Sequence, residues 1–274
     1  MTPIIKWAGG KRQLLPEIKK RMPKEFNTYY EPFFGGGALF FDIEPKQSVI
    51  NDYNAQLINV YKQVKHSPSF VSKYLDLFQE NYNSLKTKEE KAQYYLEQRN
   101  IFNDYITENI FSSASAAEFI FLNKAGYNGL YRVNKYGEFN VPSAHRKKLN
   151  LYDTNNLIDV SNALKNCEIR WGDFEAGCRG AKSGDFVFFD SPYYDTFDNY
   201  QAGGFSRADH LRLALLFEKL TQKGVKIILT NNDCDFIKNL YDGYNIDIVD
   251  VKRMINCNGN KRVGKEVIIT NFKE

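Results

Sequence analysis

Asp190-Ser-Pro-Tyr193 follows directly on the apolar run Asp185–Phe189. That is where a strand of an open α/β sheet presents its carboxyl end to a ligand. A carboxylate there can accept one N–H of an amino group on an aromatic ring, a backbone carbonyl can accept the other, and a tyrosine can stack on the ring. Pro192 stiffens the loop and turns the Ser191 carbonyl inward. Asp, Ser and Pro also favour plain turns, so these four residues alone leave both readings open. A second group, Tyr30-Glu-Pro-Phe-Phe-Gly-Gly-Gly-Ala38, runs a short strand through three glycines into a helix-like Ala-Leu-Phe-Phe. Glycines at such a turn let the backbone approach a ligand closely. Asp52 ends the next strand, where an acidic side chain can accept both hydroxyls of a ribose. Nicotinamide enzymes and S-adenosylmethionine enzymes share that pairing, and a tight turn with an N-capping Asp is the structural alternative. In a third group, Lys6-Trp-Ala-Gly-Gly-Lys11, Trp7 and Lys11 can close over a ligand, with Lys11 answering its carboxylate. Trp7 alone also reads as a core residue.

These groups need a scaffold. Ser48–Ile50, Asp185–Phe189, Val225–Leu229 and Glu266–Ile269 are short runs dominated by β-branched and aromatic residues, and they predict buried strands. Arg207 to Gln222 predicts a helix on the spacing of Leu211, Leu215, Leu216 and Leu220, with Ser206 as N-cap and Gly224 as stop. Strands alternating with helices predict an α/β sheet covered on both faces. Residues 57–153 read as mostly helical and end in Gly129–Pro142. There Leu130–Val133 and Glu138–Val141 flank Asn134-Lys-Tyr-Gly137 as a β-hairpin, with Gly137 left-handed. The expected organisation is a sheet domain of residues 1–56 and 154–274, with a second domain, 57–153, inserted.

At 43% hydrophobic and 26% charged residues, the chain is neither disordered nor collagen-like. It contains no apolar run of about 18 residues, so no transmembrane helix is expected. No signal peptide is legible, which makes the cytoplasm the expected compartment. Cys167, Cys178, Cys234 and Cys257 form no CxxC pair and the three histidines are scattered, so reduced thiols and no metal centre are expected. Basic residues cluster at Lys6–Lys24, at Arg132–Lys148 and at Lys252–Lys265. Converging in a fold they would contact phosphates; singly, each is a solvated face.

In their order along the chain, these groups resemble one family. Lys6–Lys11, Glu31-Pro-Phe-Phe-Gly-Gly-Gly37, Asn51-Asp52, Asn128–Pro142, Gly172-Asp-Phe174, Asp190–Tyr193 and the late stretch Arg253–Arg262 resemble the Dam-type DNA adenine-N6 methyltransferases, the alpha group of the D12 class. The resemblance implies a Rossmann-like S-adenosylmethionine-dependent methyltransferase sheet and an inserted, mostly helical target-recognition domain carrying the β-hairpin. It implies methyl transfer to an adenine flipped out of double-stranded DNA, with GATC as the expected target, S-adenosylhomocysteine as product and no metal. For S-adenosylmethionine it implies Trp7, Lys11, Phe33, Gly35, Gly37, Asp52, Asp173, Phe174 and Asp190. For catalysis it implies Asp190, Ser191, Pro192 and Tyr193. For DNA it implies Lys6, Leu130, Arg132, Asn134, Pro142, Arg146 and Lys147. A monomer is the default oligomeric expectation.

Two departures stand out. The family's Asp-Pro-Pro-Tyr is here Asp-Ser-Pro-Tyr, which leaves the Ser191 carbonyl available and costs some stiffness. After Pro142 the usual Phe-Gly is Ser143-Ala144, followed by His145-Arg146-Lys147-Lys148, which bears on the outer-base and phosphate contacts. Rival readings are a methyltransferase of the same fold acting on RNA or protein, a nicotinamide oxidoreductase, and a non-catalytic DNA-binding protein. Phe40 stands where the third glycine of G-x-G-x-x-G would fall, which weakens the oxidoreductase reading.

Overall fold

The computed structural model describes residues 1–7, 9, 11, 13–194, 204–252 and 263–273. The late stretch Arg253–Arg262, with Cys257, lies outside the described residues, as does Arg12. Seven strands form one sheet: β1 (Tyr29–Glu31), β2 (Ser48–Asp52), β3 (Cys167–Trp171), β4 (Phe186–Phe189), β5 (Lys226–Asn232), β6 (Asn245–Lys252) and β7 (Val263–Thr270). Their order is β3-β2-β1-β4-β5-β7-β6. The first five pair in parallel, and β7 runs antiparallel between β5 and β6. The chain winds one way from β1 to β3 and the other way from β4 onward, so the strand order reverses between β1 and β4. Such a switch point opens a crevice at the carboxyl ends of the strands.

β4 is buried at every position and β2 at all but Asp52, as a parallel sheet covered on both faces requires. The four expected strands are present. β3 and β6 were not expected; both are edge strands, and neither carries an apolar run. The expected helix is present as a helix from Arg207 to Gln222, with a capping box between Ser206 and Asp209. Its inward face differs from expectation. His210, Leu213, Phe217 and Leu220 are buried, whereas Leu211 and Leu215 are exposed. Both sets have helical spacing, and packing against the sheet selects the one holding the bulky Phe217.

The helical stretch comprises α3 (Ala55–His66), α4 (Pro68–Ser84), α5 (Lys88–Thr107) and α6 (Ser113–Ala125), preceded in the chain by α1 (Leu15–Lys19) and α2 (Ala38–Ile43). α6 is buried almost all round, so α3, α4 and α5 pack on it from several sides. α3 also touches β2 and β3, which ties this bundle to the sheet. The expected hairpin is shorter than a two-strand ladder. One antiparallel bridge joins Val133 to Phe139, and Gly137 is left-handed at φ +83°. Side chains do the rest: Asn134 Oδ1 accepts the N–H groups of Tyr136 and Glu138 at 2.9 and 3.1 Å.

Candidate active site

One cavity of about 910 Å³ opens at the switch point. It is lined from the carboxyl ends of β1 (Pro32–Gly37), β2 (Asp52–Asn54), β3 (Gly172–Phe174) and β4 (Asp190–Tyr193), and from the chain start by Lys6, Trp7 and Lys11. All the residues expected to bind cofactor or catalyse therefore line a single space. Backbone geometry makes the first wall. Gly35 and Gly37 have φ +49° and +65°, and a Cβ on Gly37 would lie 2.4 Å from the Phe34 ring. Only glycine fits a backbone this closely packed in the left-handed region.

Asp52 Oδ2 accepts the Gly35 N–H at 2.8 Å and Oδ1 accepts the Asn54 N–H at 2.9 Å, so the carboxylate fixes the glycine loop. Burial pushes its pKa up to about 6, against the pull of these backbone N–H groups. Glu31 lies deeper. Burial holds it well above the usual carboxylate range, opposed by the Tyr29 hydroxyl that donates to it at 2.8 Å and reinforced by Asp190. At the far side Phe33 stacks on Phe174 with centroids 5.3 Å apart, and Phe205 meets both rings. Arg212, in the Arg207–Gln222 helix, covers Phe174 at 4.9 Å and binds Asp173, Glu175 and Asp209 at 2.9, 2.8 and 3.1 Å.

Asp190 is held from two directions. Thr230 Oγ1 donates to its Oδ1 at 2.9 Å, and Lys11 Nζ pairs with the same oxygen at 2.6 Å. Lys11 thus answers a carboxylate of the protein itself. It is also anchored to the Gly9 carbonyl and lies over the Tyr193 ring, 4.5 Å from its centroid. Asn231 Nδ2 donates to Ser191 Oγ at 3.2 Å, and Asn231 Oδ1 accepts the Tyr194 N–H at 3.1 Å. The serine in place of proline is therefore braced by a hydrogen bond a proline could not make. Thr230, Asn231, Arg212 and Glu31 were not singled out from sequence. The signal for the first two was the polar Thr-Asn-Asn closing an apolar strand at its ligand-facing end; Arg212 gave none.

Trp7 stacks on Phe119 of α6 and on Tyr131 of the hairpin, at 6.3 and 5.6 Å. Asn123 bridges the chain start to the hairpin, accepting the Lys6 N–H and donating to the carbonyls of Lys6 and Gly129. Lys6 therefore sits against Gly129, beside the half-buried Leu130. Arg132 is exposed, with its guanidinium on Asn140; Asn134 is committed to the turn, its Nδ2 on Glu138. Pro142, Arg146 and Lys147 are exposed. The carbonyls of Arg146 and Lys147 accept hydrogen bonds from Tyr82 and Lys91, which fixes the segment while leaving both side chains outward. The first basic cluster divides. Lys19, Lys20 and Arg21 are engaged by Asp42, Glu17 and Asp247, and among the described residues of the cluster Lys6 and Lys11 line the cavity.

The family model for D12 class N6 adenine-specific DNA methyltransferases matches residues 7–255. The chain belongs to this family. As a D12-class enzyme it is an adenine-specific DNA methyltransferase, and the class uses S-adenosylmethionine. It is 40% identical to the Type II methyltransferase M.MjaIII of Methanocaldococcus jannaschii, over 99% of each chain. It is 37% identical to the Type II methyltransferase M1.LlaDCHI of Lactococcus lactis, over 99% of this chain and 96% of that one. It is 29% identical to the DNA adenine methylase of Escherichia coli K12, over 98% of this chain and 95% of that one. Among the described residues of this D12-class chain, no helix is long and apolar enough to cross a membrane, and no cluster of metal-ligating side chains is present.

Proposed function

We propose that the cavity holds S-adenosylmethionine between the glycine loop and Asp190 while an adenine, turned out of duplex DNA, enters at Asp190–Tyr193, and that the target is GATC. The observation that carries this is the single cavity lined at one end by Gly35, Asp52 and Phe174 and at the other by Asp190–Tyr193. Its volume, about 910 Å³, lies in the upper part of the usual range for ligand clefts, as two adjacent ligands need. The residues suit the cofactor. Asp52 is a carboxylate for ribose hydroxyls, the Phe33–Phe174 pair backed by Arg212 is a platform for an adenine ring, and Asp52 and Asp190 suit a cationic ligand. When bound, the cofactor supplies a methyl group activated on a sulfonium.

The protein's own part is positioning and charge. The adenine amino nitrogen is a poor nucleophile because its lone pair is delocalised into the ring. Among the described residues, both hydrogen-bonding partners of Asp190 fall on Oδ1, so Oδ2 accepts one N–H of the amino group. The Ser191 carbonyl takes the other. The two acceptors draw the nitrogen toward tetrahedral geometry and stabilise the positive charge that develops on it. The proton is lost readily from the methylated nitrogen, so Asp190 need not be a strong base. Extruding the base costs a few kcal/mol. Stacking on Tyr193 returns about 1–3 kcal/mol. Phosphate contacts of Arg146 and Lys147 contribute the remainder.

In this reading residues 57–153 form the DNA-facing domain, and Lys6, Leu130, Arg132 and Pro142 meet bases in the major groove. The family membership and the Lys6–Gly129 contact support it. The test is tritiated methyl transfer to duplexes that contain GATC, that contain an altered tetramer, or that already carry methylated adenine. Only the first should incorporate label, and Asp190→Ala should abolish incorporation. Equal labelling of the altered duplex would refute GATC; labelling of RNA or peptide instead would refute the substrate.

A further inference from the structure

We propose that Glu266, on β7, is a positioning residue for the transfer step, holding the Tyr193 phenol so that its ring presents one fixed face to the extruded adenine. This rests on the reading of Tyr193 as the stacking platform. Tyr193 reaches from the end of β4 across β5 to β7, where its hydroxyl donates to the Glu266 carboxylate. Glu266 stands opposite Asn232 in the β5–β7 ladder, and Asn232 Nδ2 donates to the Tyr194 carbonyl at 3.0 Å. Cross-strand neighbours thus grip two successive residues of the corner, one by its side chain and one by its main chain.

The ring is constrained on a face as well, because Lys11 Nζ lies 4.5 Å from its centroid. With the phenol tethered and that face covered, a base stacks on the opposite one. A ring already ordered spares the entropy that a loose side chain would lose when the base arrives. A carboxylate acceptor suits the task, since a charge-assisted hydrogen bond is about twice as strong as a neutral one. Packing does not require this side chain. Glu266 is only half-buried, whereas the core contribution of β7 comes from Val267, Ile268 and Ile269, all fully buried.

The experiment is a double-mutant cycle on the full chain, read as single-turnover methylation of a duplex. Tyr193→Phe removes the hydroxyl and keeps the ring; Glu266→Ala removes the acceptor. Each should slow transfer about tenfold, the value of a hydrogen bond to a charged group. The cofactor KM should not change. The double variant should be no slower than the slower single, since both changes remove the same bond. Glu266→Gln, which keeps an acceptor, should recover most of the rate. With 2-aminopurine at the target position, Glu266→Ala should emit more strongly than wild type, because the extruded base loses its partner.

Losses that multiply in the double variant, or emission unchanged in Glu266→Ala, would overturn the proposal. Should the alanine variant not fold, Glu266→Met keeps the volume without an acceptor and runs the same cycle. Tyr193→Ala separates the two layers. If it leaves rate and emission intact, the stacking reading falls and this one with it. If it is damaging while the cycle shows no coupling, stacking stands and Glu266 loses its role.

Discussion

Gly35→Ala tests how tightly the front of the pocket is built. A Cβ on Gly35 would fall 2.6 Å from Trp7 Cδ1 and 2.9 Å from Nε1. Carbon atoms pack best at about 3.5–4.0 Å, so the indole must withdraw by roughly 1 Å. Phe119 and Tyr131 stack against it and resist that movement. Left-handed backbone costs an alanine roughly 1–2 kcal/mol. Overpacking adds about 1–3 kcal/mol. The sum lowers the melting temperature by roughly 3–9 °C in a chain of this size. Gly243→Ala is the control. It has φ +91° with no heavy atom within 4 Å of the added carbon, so it carries strain without collision. Melting is followed by circular dichroism. Binding of S-adenosylhomocysteine is followed by indole fluorescence in a Trp171→Phe background, where Trp7 is the remaining tryptophan. Gly35→Ala should melt below the control and bind about tenfold more weakly. If it melts within about 1 °C of Gly243→Ala and binds normally, the indole does not bear on the glycine loop as described.

The remaining predictions concern protons and DNA. Asp52 gains a proton as pH falls through about 6, and a ribose needs its ionised form. Affinity for S-adenosylhomocysteine, measured by calorimetry, should therefore drop about tenfold per pH unit below that point and stay flat in Asp52→Asn. His210 is buried among Tyr194, Phe205 and Phe236, and burial depresses its pKa to about 4. Between pH 6.5 and 4 the unfolded chain binds a proton that the native one does not, so stability falls as pH falls, by about 3 kcal/mol across the window. His210→Phe should flatten that slope in denaturant titrations, and an unchanged slope would reject the assignment. Arg132→Ala should relax discrimination at one base pair by about 1–3 kcal/mol. Lys147→Ala should weaken all sequences alike and reduce the salt slope by about 1. Equal loss on cognate and altered sites in Arg132→Ala would count against base reading.

What the sequence discloses follows from where its information lies. Interior strands are written as apolar runs, so β2, β4, β5 and β7 are legible. Edge strands are not. β3 reads Cys-Glu-Ile-Arg-Trp and ends in an exposed Trp171; β6 alternates Ile and Asp with Ile248 turned to solvent. Gly35, Gly37, Asp52 and Asp190–Tyr193 are legible because each group sits at the carboxyl end of a legible strand, where the local pattern of strand, glycine and acid is itself the signal; Asp173 and Phe174, after the edge strand β3, come from the family resemblance alone. Their bracing is not local. Arg212 reaches Asp173 across 39 residues and Thr230 reaches Asp190 across 40. Such pairings depend on register and helix rotation, which tertiary packing decides. The exposed Leu211 and Leu215 show the same limit within one helix.

The position of β7 has a consequence for biosynthesis. It slots between β5 and β6 although it leaves the ribosome after both. A nascent chain can close the bundle early, but β6 has no partner strand until β7 arrives, and the sheet stays open on that side. The Asp190–Tyr193 corner lacks its outer strut, Glu266, until that insertion is complete. A translation product halted before β7 would therefore carry the motifs of the first two hundred residues and still lack the strand that holds the partner of Tyr193.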